Sequence, residues 1–423
     1  MSSPSEPGPA AGCDDAHGSP AALGVAEAHA RIAAAIEPVR EVETLRLRAA
    51  LGRVLADDIV SELHIPPATN AAMDGFAFRG ADLDGEGRAE LALIGTAWAG
   101  HPLDRAVGAG ECARIMTGAP VPDGADSVVM QERTETEGER VRIRGARAGD
   151  NIRQAGEDIA PGDLALPAGT RVRPAELGVL ASLGLTEVRV YRRPRVALFA
   201  TGDELYEPGQ PLQAGGLYDS NRYAVWGMLT RLGMAIDDRG HLPDERGAVE
   251  ASLAAAAAEN DAVITTGGVS VGAADHVAVV LREQGDIGFW QLTMKPGRPL
   301  NFGYLGGAVF FGLPGNPVSA MVTFYQFVQP ALRALGGAPY RPAPTLRART
   351  AAAFPRKPGR TEYQRAVLTQ DEAGTPVVER TGDQGSGRLS SMSRANCFVV
   401  IPAERGDVEP GEWVDVQLFE GVV

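Results

Sequence analysis

The chain has few of the residues that build redox or metal centres. Its three cysteines, Cys13, Cys112 and Cys397, stand far apart with no C-x-x-C spacing, and its six histidines fall outside any HExxH or H-x-E…C-x-x-C arrangement. No disulfide framework or zinc site is therefore expected. Cys112 and Cys397 read as small buried side chains, and Cys13 as part of a solvated tail. Basic residues are also short, with Lys and Arg totalling 40 against 54 Asp and Glu, a formal charge of -14. A surface that gains affinity by neutralising a phosphate backbone is not expected, so nucleic acid is not a partner. No run approaches the ~20 apolar residues of a membrane span, and the first residues show no basic segment followed by an apolar one. No membrane is implied, and a reducing cytoplasm fits best.

What is present is 44% hydrophobic and 22% charged, the balance of a soluble globular protein. A chain of 423 residues exceeds the roughly 250–300 that one core serves, so three or four domains are expected. Residues 1–21, rich in Ser, Pro, Gly and Ala, predict a disordered tail. From Ala22 to Ile36, Leu23, Val25, Ala28, Ile32 and Ile36 recur at helical spacing, predicting a first helix. This helix opens a discontinuous, helical linker domain over 22–58 and 160–190. Between them, 59–159 has short apolar alternations such as Leu91-Ala92-Leu93-Ile94 broken by Gly, Pro and Asp, which predict a small β domain.

Residues 191–336 alternate apolar strands with helical stretches. Strands are expected at 196–200, 262–265 and 309–312, each ending in a Gly-rich turn before a helix, so the fold is multi-domain α/β plus β with a mostly parallel central sheet. Ligands of such sheets lie beyond the carboxyl ends of the strands, where these glycines fall. Residues 337–423 return to short β-like runs, predicting a C-terminal β barrel domain.

The densest signal is Thr265-Thr266-Gly267-Gly268-Val269-Ser270-Val271-Gly272, with Asp275 downstream. Its backbone N–H groups can converge on a phosphate, with Asp275 answering a Mg²⁺ or a hydroxyl; the alternative is a tight turn with Asp275 as a helix cap. Thr201-Gly202-Asp203-Glu204 brings two carboxylates to the same crevice, and Asp219-Ser220-Asn221 reads as a capped helix start. Met294-Lys295-Pro296-Gly297-Arg298-Pro299 sets two cations in a stiff turn, a clamp for an oxyanion or pyrophosphate unless it is only a solvated basic turn. Gly312-Leu313-Pro314-Gly315-Asn316-Pro317-Val318-Ser319 fixes the backbone before an apolar helix and leaves N–H groups or Ser319 free for a ligand. In the first β domain, the stretches 66–77 and 114–120 read as ligand-facing or plain turns, with Met73 and Phe76 as packing residues.

The ordered runs AAMDGFA, RIMTGAPVPDGADSVVMQE, NIRQAGEDI, FATGDEL, YDSN, TTGGVSVGAAD, MKPGRP, GLPGNPVS and GSGRLSSMSRAN resemble the MoeA family of molybdopterin molybdenumtransferases, to which the gephyrin E domain belongs. The TTGGVSVG turn is shared with molybdopterin adenylyltransferases; the β domains, the MDG loop and the C-terminal segment separate the chain from that shorter family. The resemblance implies insertion of molybdate into adenylylated molybdopterin with release of AMP, dependent on Mg²⁺. It implies that Asp275 and Glu204 hold Mg²⁺, with Asp244, Asp158 and Asp74 as further catalytic acids. Thr117, Asp219, Asn221, Thr266, Gly267 and Gly268, with Ser270, Gly272, Pro314 and Pro317, match substrate-binding positions. Lys295, Arg298, Ser319, Arg360 and Ser386 match positions that hold molybdate. Gln291 stands where some relatives have a basic residue and Arg298 where many have Lys; both keep hydrogen-bond donors. Relatives are elongated homodimers, which would make Asp74 and Thr117 act in trans, and an upstream adenylyltransferase would supply the substrate. The rival classes are an adenylyltransferase that makes the intermediate and a gephyrin-like scaffold.

Overall fold

A computed structural model of the chain describes residues 22–243, 245–268 and 276–419. The expected tail over 1–21 lies outside the described residues, as do Asp244, Ser270, Gly272 and Asp275. Two compact units divide the chain, one formed by Val42–Tyr191 and the other by the residues on either side.

In Val42–Tyr191, the strand Val42–Arg46 pairs antiparallel with Glu187–Tyr191, and Ile59–Val60 pairs with Leu164–Leu166. Ala50, Leu55, Val172, Leu180, Val188 and Val190 form their shared core, which joins residues more than a hundred positions apart. Helix Pro174–Ser182 is the one α-helix of this layer. The linker expected to be helical is thus largely two strand pairs, because Val42-Glu43-Thr44-Leu45 and Val188-Arg189-Val190 alternate with period two. The first helix, Val25–Ala35, does not belong to it. Leu23 bridges Leu292, and the helix packs on Gln329–Leu335, so residues 22–41 join the other unit.

Inserted in this layer is a six-stranded sheet in the order Ser127–Met130, Gly75–Phe78, Glu111–Ile115, Ala89–Ala97, Arg140–Ile143, Thr134–Glu137. Strand Gly75–Phe78 is buried along its length. Phe76 and Phe78 enter one core and Ala77 the other, the period-two alternation of a strand covered on both faces. Cys112 is buried there, and burial pushes its thiol up to about 12.

The second unit contains a six-stranded sheet in the order Ala235–His241, Arg195–Ala200, Ala262–Thr266, Ala308–Leu313, Pro299–Leu305, Gly285–Gln291. The first four strands are parallel and the last two pairings antiparallel. The reversal is local chemistry. Gly306-Gly307 closes a two-residue hairpin, with Gly306 at φ 56°. Helices Arg246–Glu259 and His276–Gln284 cover one face through Val249, Leu253, Ala256, Val277, Val280 and Leu281. After Ala308–Leu313, helix Pro317–Thr323 passes through a π-helical turn, Phe324–Val328, into Gln329–Leu335. Pro330 has no N–H for the carbonyl four residues back, and the wider turn accommodates its ring.

The C-terminal strands close on themselves. Thr361–Gln370 pairs with both Pro376–Arg380 and Cys397–Ile401, Cys397–Ile401 with Trp413–Leu418, Trp413–Leu418 with Leu346–Thr350, and Leu346–Thr350 with Pro376–Arg380. Phe354, Ala366, Val378, Val399, Ile401 and Val414 fill this barrel. Among the described residues no helix is long and apolar enough to cross a membrane.

Candidate functional site

The carboxyl ends of the parallel strands bring three loops into contact. The Thr201 N–H donates to the Thr266 carbonyl at 3.0 Å, and the Gly267 N–H donates to the Leu313 carbonyl at 2.9 Å. Gly267 and Gly268 have φ of 89° and 64°, and a Cβ on Gly267 would lie 2.5 Å from Thr201 Oγ1 and 2.8 Å from its carbonyl oxygen. Glycine is required there both by conformation and by the approach of Thr201. The Thr265 Oγ1 is buried without a partner among the described residues. Asn221 Nδ2 donates to the Gly315 carbonyl at 2.6 Å, fixing the turn between Pro314 and Pro317, while its Oδ1 is buried and has no partner among the described residues.

Asp219 behaves otherwise. Its carboxylate is buried and occupied, accepting from the Arg222 N–H at 3.0 Å, from Arg222 Nε at 3.0 Å, and lying 3.2 Å from His241 Nε2. Arg222 also reaches Asp238 at 2.6 Å and Glu207. Burial works against its charge, but the bonds to Asp238 and Asp219 prevail and its pKa is raised. Asp219 therefore anchors the start of helix Asn221–Leu232 through Arg222, with its side chain fully buried. Glu204 is exposed and makes no ion pair among the described residues.

The expected anion residues are drawn together from two folds. Met294–Lys295 pairs in parallel with the barrel strand Thr361–Gln370, setting Lys295 opposite Glu362. Lys295 Nζ lies 3.3 Å from Glu362 Oε1, with the lysine side chain 49% exposed and the glutamate 6%. At Gly297, φ is 95° and a Cβ would lie 2.6 Å from Thr323 Oγ1, so this turn rests on the helix that carries Ser319. The N–H of Val318, next to Ser319, donates to the Ser386 carbonyl at 3.0 Å. Arg360 precedes the paired barrel strand, and the buried Arg356 holds its carbonyl at 2.8 Å. Arg298 and Arg360 are exposed and form no ion pair among the described residues. Two unpaired guanidiniums, a half-exposed ammonium and serine hydroxyls make a neighbourhood suited to a compact oxyanion.

In the other unit, Asp74 Oδ1 accepts from both the Thr117 N–H and the Thr117 hydroxyl at 2.7 Å. These bonds hold its carboxyl below the ordinary value. Gly75 follows because a Cβ there would run into the Val129 carbonyl. Phe76 packs as expected, whereas Met73 is 45% exposed and does not. Asp158 is exposed, its N–H donating to the Ile65 carbonyl at 3.0 Å. Among the described residues no three His, Cys, Asp or Glu side chains gather as a metal cage.

The same three-part order appears in known proteins. Residues 23–184 match the MoeA N-terminal region (domain I and II), 197–334 match the "Probable molybdopterin binding domain", and 347–419 match the MoeA C-terminal region (domain IV). A molybdopterin molybdenumtransferase of Haemophilus influenzae is 41% identical over 382 residues, covering 90% of this chain and 94% of that protein. The chain belongs to the MoeA family. A second MoeA-family relative, the Nostoc molybdopterin molybdenumtransferase, is 35% identical over 89% of this chain and 88% of its own length. The crystal structure of a Pyrococcus horikoshii molybdopterin biosynthesis MoeA protein superposes with a TM-score of 0.79 at 32% identity, covering 94% of this chain and all of that one.

Sequence reasoning missed several MoeA-fold residues that shape the site: Arg222, Glu362 and Arg365. A signal existed in Thr361-Glu362-Tyr363-Gln364-Arg365, where ionisable residues interrupt a strand otherwise bound for the barrel core.

Proposed function

We propose that this chain is a molybdopterin molybdenumtransferase that inserts molybdate into adenylylated molybdopterin and releases AMP in the cytoplasm. The observation that carries the reading is the tethering of the Lys295 turn, Ser319 and Ser386 by the approach of Gly297 to Thr323 and the Ser319 carbonyl and by the Val318–Ser386 bond. Lys295, Arg298, Arg360, Ser319 and Ser386 would hold molybdate, a dianion suited to three cations of which Lys295 alone is paired, with Glu362, among the described residues. Thr266, Gly267, Gly268, Asn221, Pro314 and Pro317, continued by Ser270 and Gly272, would hold the pyrophosphate and nucleotide. The Asn221 side-chain oxygen, buried and without a partner among the described residues, supports a donor from the ligand at that point.

Mg²⁺ fits this set. It usually takes one or two carboxylates and completes its shell with phosphate oxygens and water, so no three-residue cage is needed, and Glu204 is exposed with no competing ion pair among the described residues. Glu204 and Asp275 would hold it, Asp244 would stand nearby, and when bound it polarises the pyrophosphate. Asp74, Thr117 and Asp158 would complete the site from a second copy in a homodimer. An upstream adenylyltransferase would deliver the substrate.

The test is AMP release by purified protein given adenylylated molybdopterin, molybdate and Mg²⁺. Molybdate-dependent AMP release is the expected result; ATP consumption with molybdopterin and no such release would assign the chain to the adenylyltransferases. Asp275→Asn, which caps a helix about as well as Asp, should bind the substrate yet release AMP far more slowly. Mixing Asp74→Ala and Asp275→Ala proteins should restore part of the activity through heterodimers, and no recovery after verified subunit exchange would refute the in-trans arrangement.

A further inference from the structure

Arg365 is the bulkiest fully buried side chain among the described residues, 1% exposed, yet it lies in a barrel strand and not at the crevice. No carboxylate pairs with it among the described residues. Asp383, the acid that acts on it electrostatically, is itself engaged with Arg388 at 2.7 Å. Burial pulls the Arg365 pKa down to about 10. A guanidinium kept in the interior without a direct ion pair is costly and persists where its fork is used for geometry.

The fork is aimed at one segment. Nη2 donates to the Gly385 carbonyl at 3.0 Å and Nε to Ser391 Oγ at 3.0 Å, while Ser391 Oγ donates to the Arg388 carbonyl at 2.7 Å. The backbone of Arg365 is tied to the same segment. Its N–H donates to Gln384 Oε1 at 2.7 Å, and its carbonyl accepts from Gln384 Nε2 at 3.1 Å. Arg365 thereby holds the residue before Ser386 and, through Ser391, the short helix Leu389–Arg394 after it. Ser386 in turn accepts from Val318 at 3.0 Å, next to Ser319.

We propose that Arg365 is a positioning residue for oxyanion binding: it sets the Ser386 loop against the Ser319 helix, and its buried charge favours a dianion there. The proposal rests on the reading that Ser386 contacts molybdate. A removed fork would loosen the loop and a removed charge would weaken the field, so both effects reduce anion affinity.

The experiment measures molybdate-dependent AMP release by the full-length protein, separating kcat from the molybdate KM, with substrate affinity measured alongside. Arg365→Lys keeps the charge and loses the fork; it should raise the molybdate KM roughly tenfold while adenylylated molybdopterin binds as before. Ser386→Ala should raise the same constant, and the double variant should be little worse than Ser386→Ala alone, because one residue acts through the other. If Arg365→Lys fails to fold, Ser391→Ala removes one acceptor of the fork and should give about a threefold rise. A fall in kcat with molybdate KM unchanged would mean that Arg365 only maintains the fold, and multiplying effects in the double variant would mean that it does not act through Ser386; either result overturns the proposal. If Ser386→Ala itself leaves the molybdate KM unchanged, the reading of the anion site fails, and the proposal falls with it for that separate reason.

Discussion

Replacing Arg222 by Met tests the electrostatic frame of the strand-end crevice. The guanidinium serves three carboxylates that differ in solvent access. The Asp219 side chain is 0% exposed, whereas those of Asp238 and Glu207 are 35% and 37% exposed. Freed of Arg222, the last two regain water and contribute little, as surface pairs do. Asp219 has no such escape and would keep only a backbone N–H and His241. Breaking a buried pair from one side costs about 3–5 kcal/mol. At roughly 2–4 °C per kcal/mol for a body of this size, the melting midpoint should fall by about 10 °C. Thermal unfolding followed by near-ultraviolet circular dichroism reads the loss, and Arg222→Met with Asp219→Asn should recover most of it by removing the stranded charge. A midpoint within about 1 °C of the parent, or a double variant no better than the single one, would refute the reasoning.

Three further perturbations are informative. In Glu176→Gln the cap on the Arg173 N–H, 3.0 Å long, and the 2.6 Å ion pair to Arg173 are weakened at the start of Pro174–Ser182, costing about 1 kcal/mol. Hydrogen bonding to Arg173 lowers the Glu176 carboxyl to about 2, so this stability is complete above the unfolded value near ~4.3 and is lost as pH falls toward 2; urea unfolding should show parent and variant converging in that window and parallel above it. Gly75→Ala forces a methyl against the Val129 carbonyl and should destabilise unit Val42–Tyr191 by roughly 1–3 kcal/mol, measurable by hydrogen exchange of its strands; unaltered exchange would contradict the packing described. Lys295→Ala should raise the molybdate requirement with little change in nucleotide binding, and a collapse of nucleotide binding in equilibrium titration would reverse the assignment.

Local chemistry made the strand ends readable before any coordinates. Thr265 to Gly268 and Gly312 to Pro317 combine apolar strand, glycine and helix-start signals within a dozen residues, and they meet at the crevice by the ordinary geometry of parallel strands. The placement of helix Val25–Ala35 was not readable, because its apolar stripe does not reveal whether helix Gln329–Leu335 or the strand Glu187–Tyr191 covers it. The buried pairing of Asp219 was unreadable for a related reason. A carboxylate before a helix looks the same whether its second oxygen meets substrate or an arginine three residues on. Arg365 escaped notice since its partners, Gln384, Gly385 and Ser391, lie 19 to 26 residues away and two of the contacts use backbone or hydroxyl atoms that leave no compositional trace.

The pairing of Met294–Lys295 with the barrel strand has a consequence for how such proteins diversify. Lys295 is covalently part of the layered α/β body but hydrogen-bonded as a sixth strand of the barrel's sheet. A barrel acquired from another gene must therefore present its first long strand in the same phase. A slip of one residue would turn Lys295 to the opposite face and set another side chain where Glu362 now stands. Recombination with a crossover between 336 and 346 would exchange a barrel without the strand that docks on it. Chimeras cut before Met294 should retain function more often than chimeras cut at the visible domain border, which makes the inheritance unit larger than the folding unit.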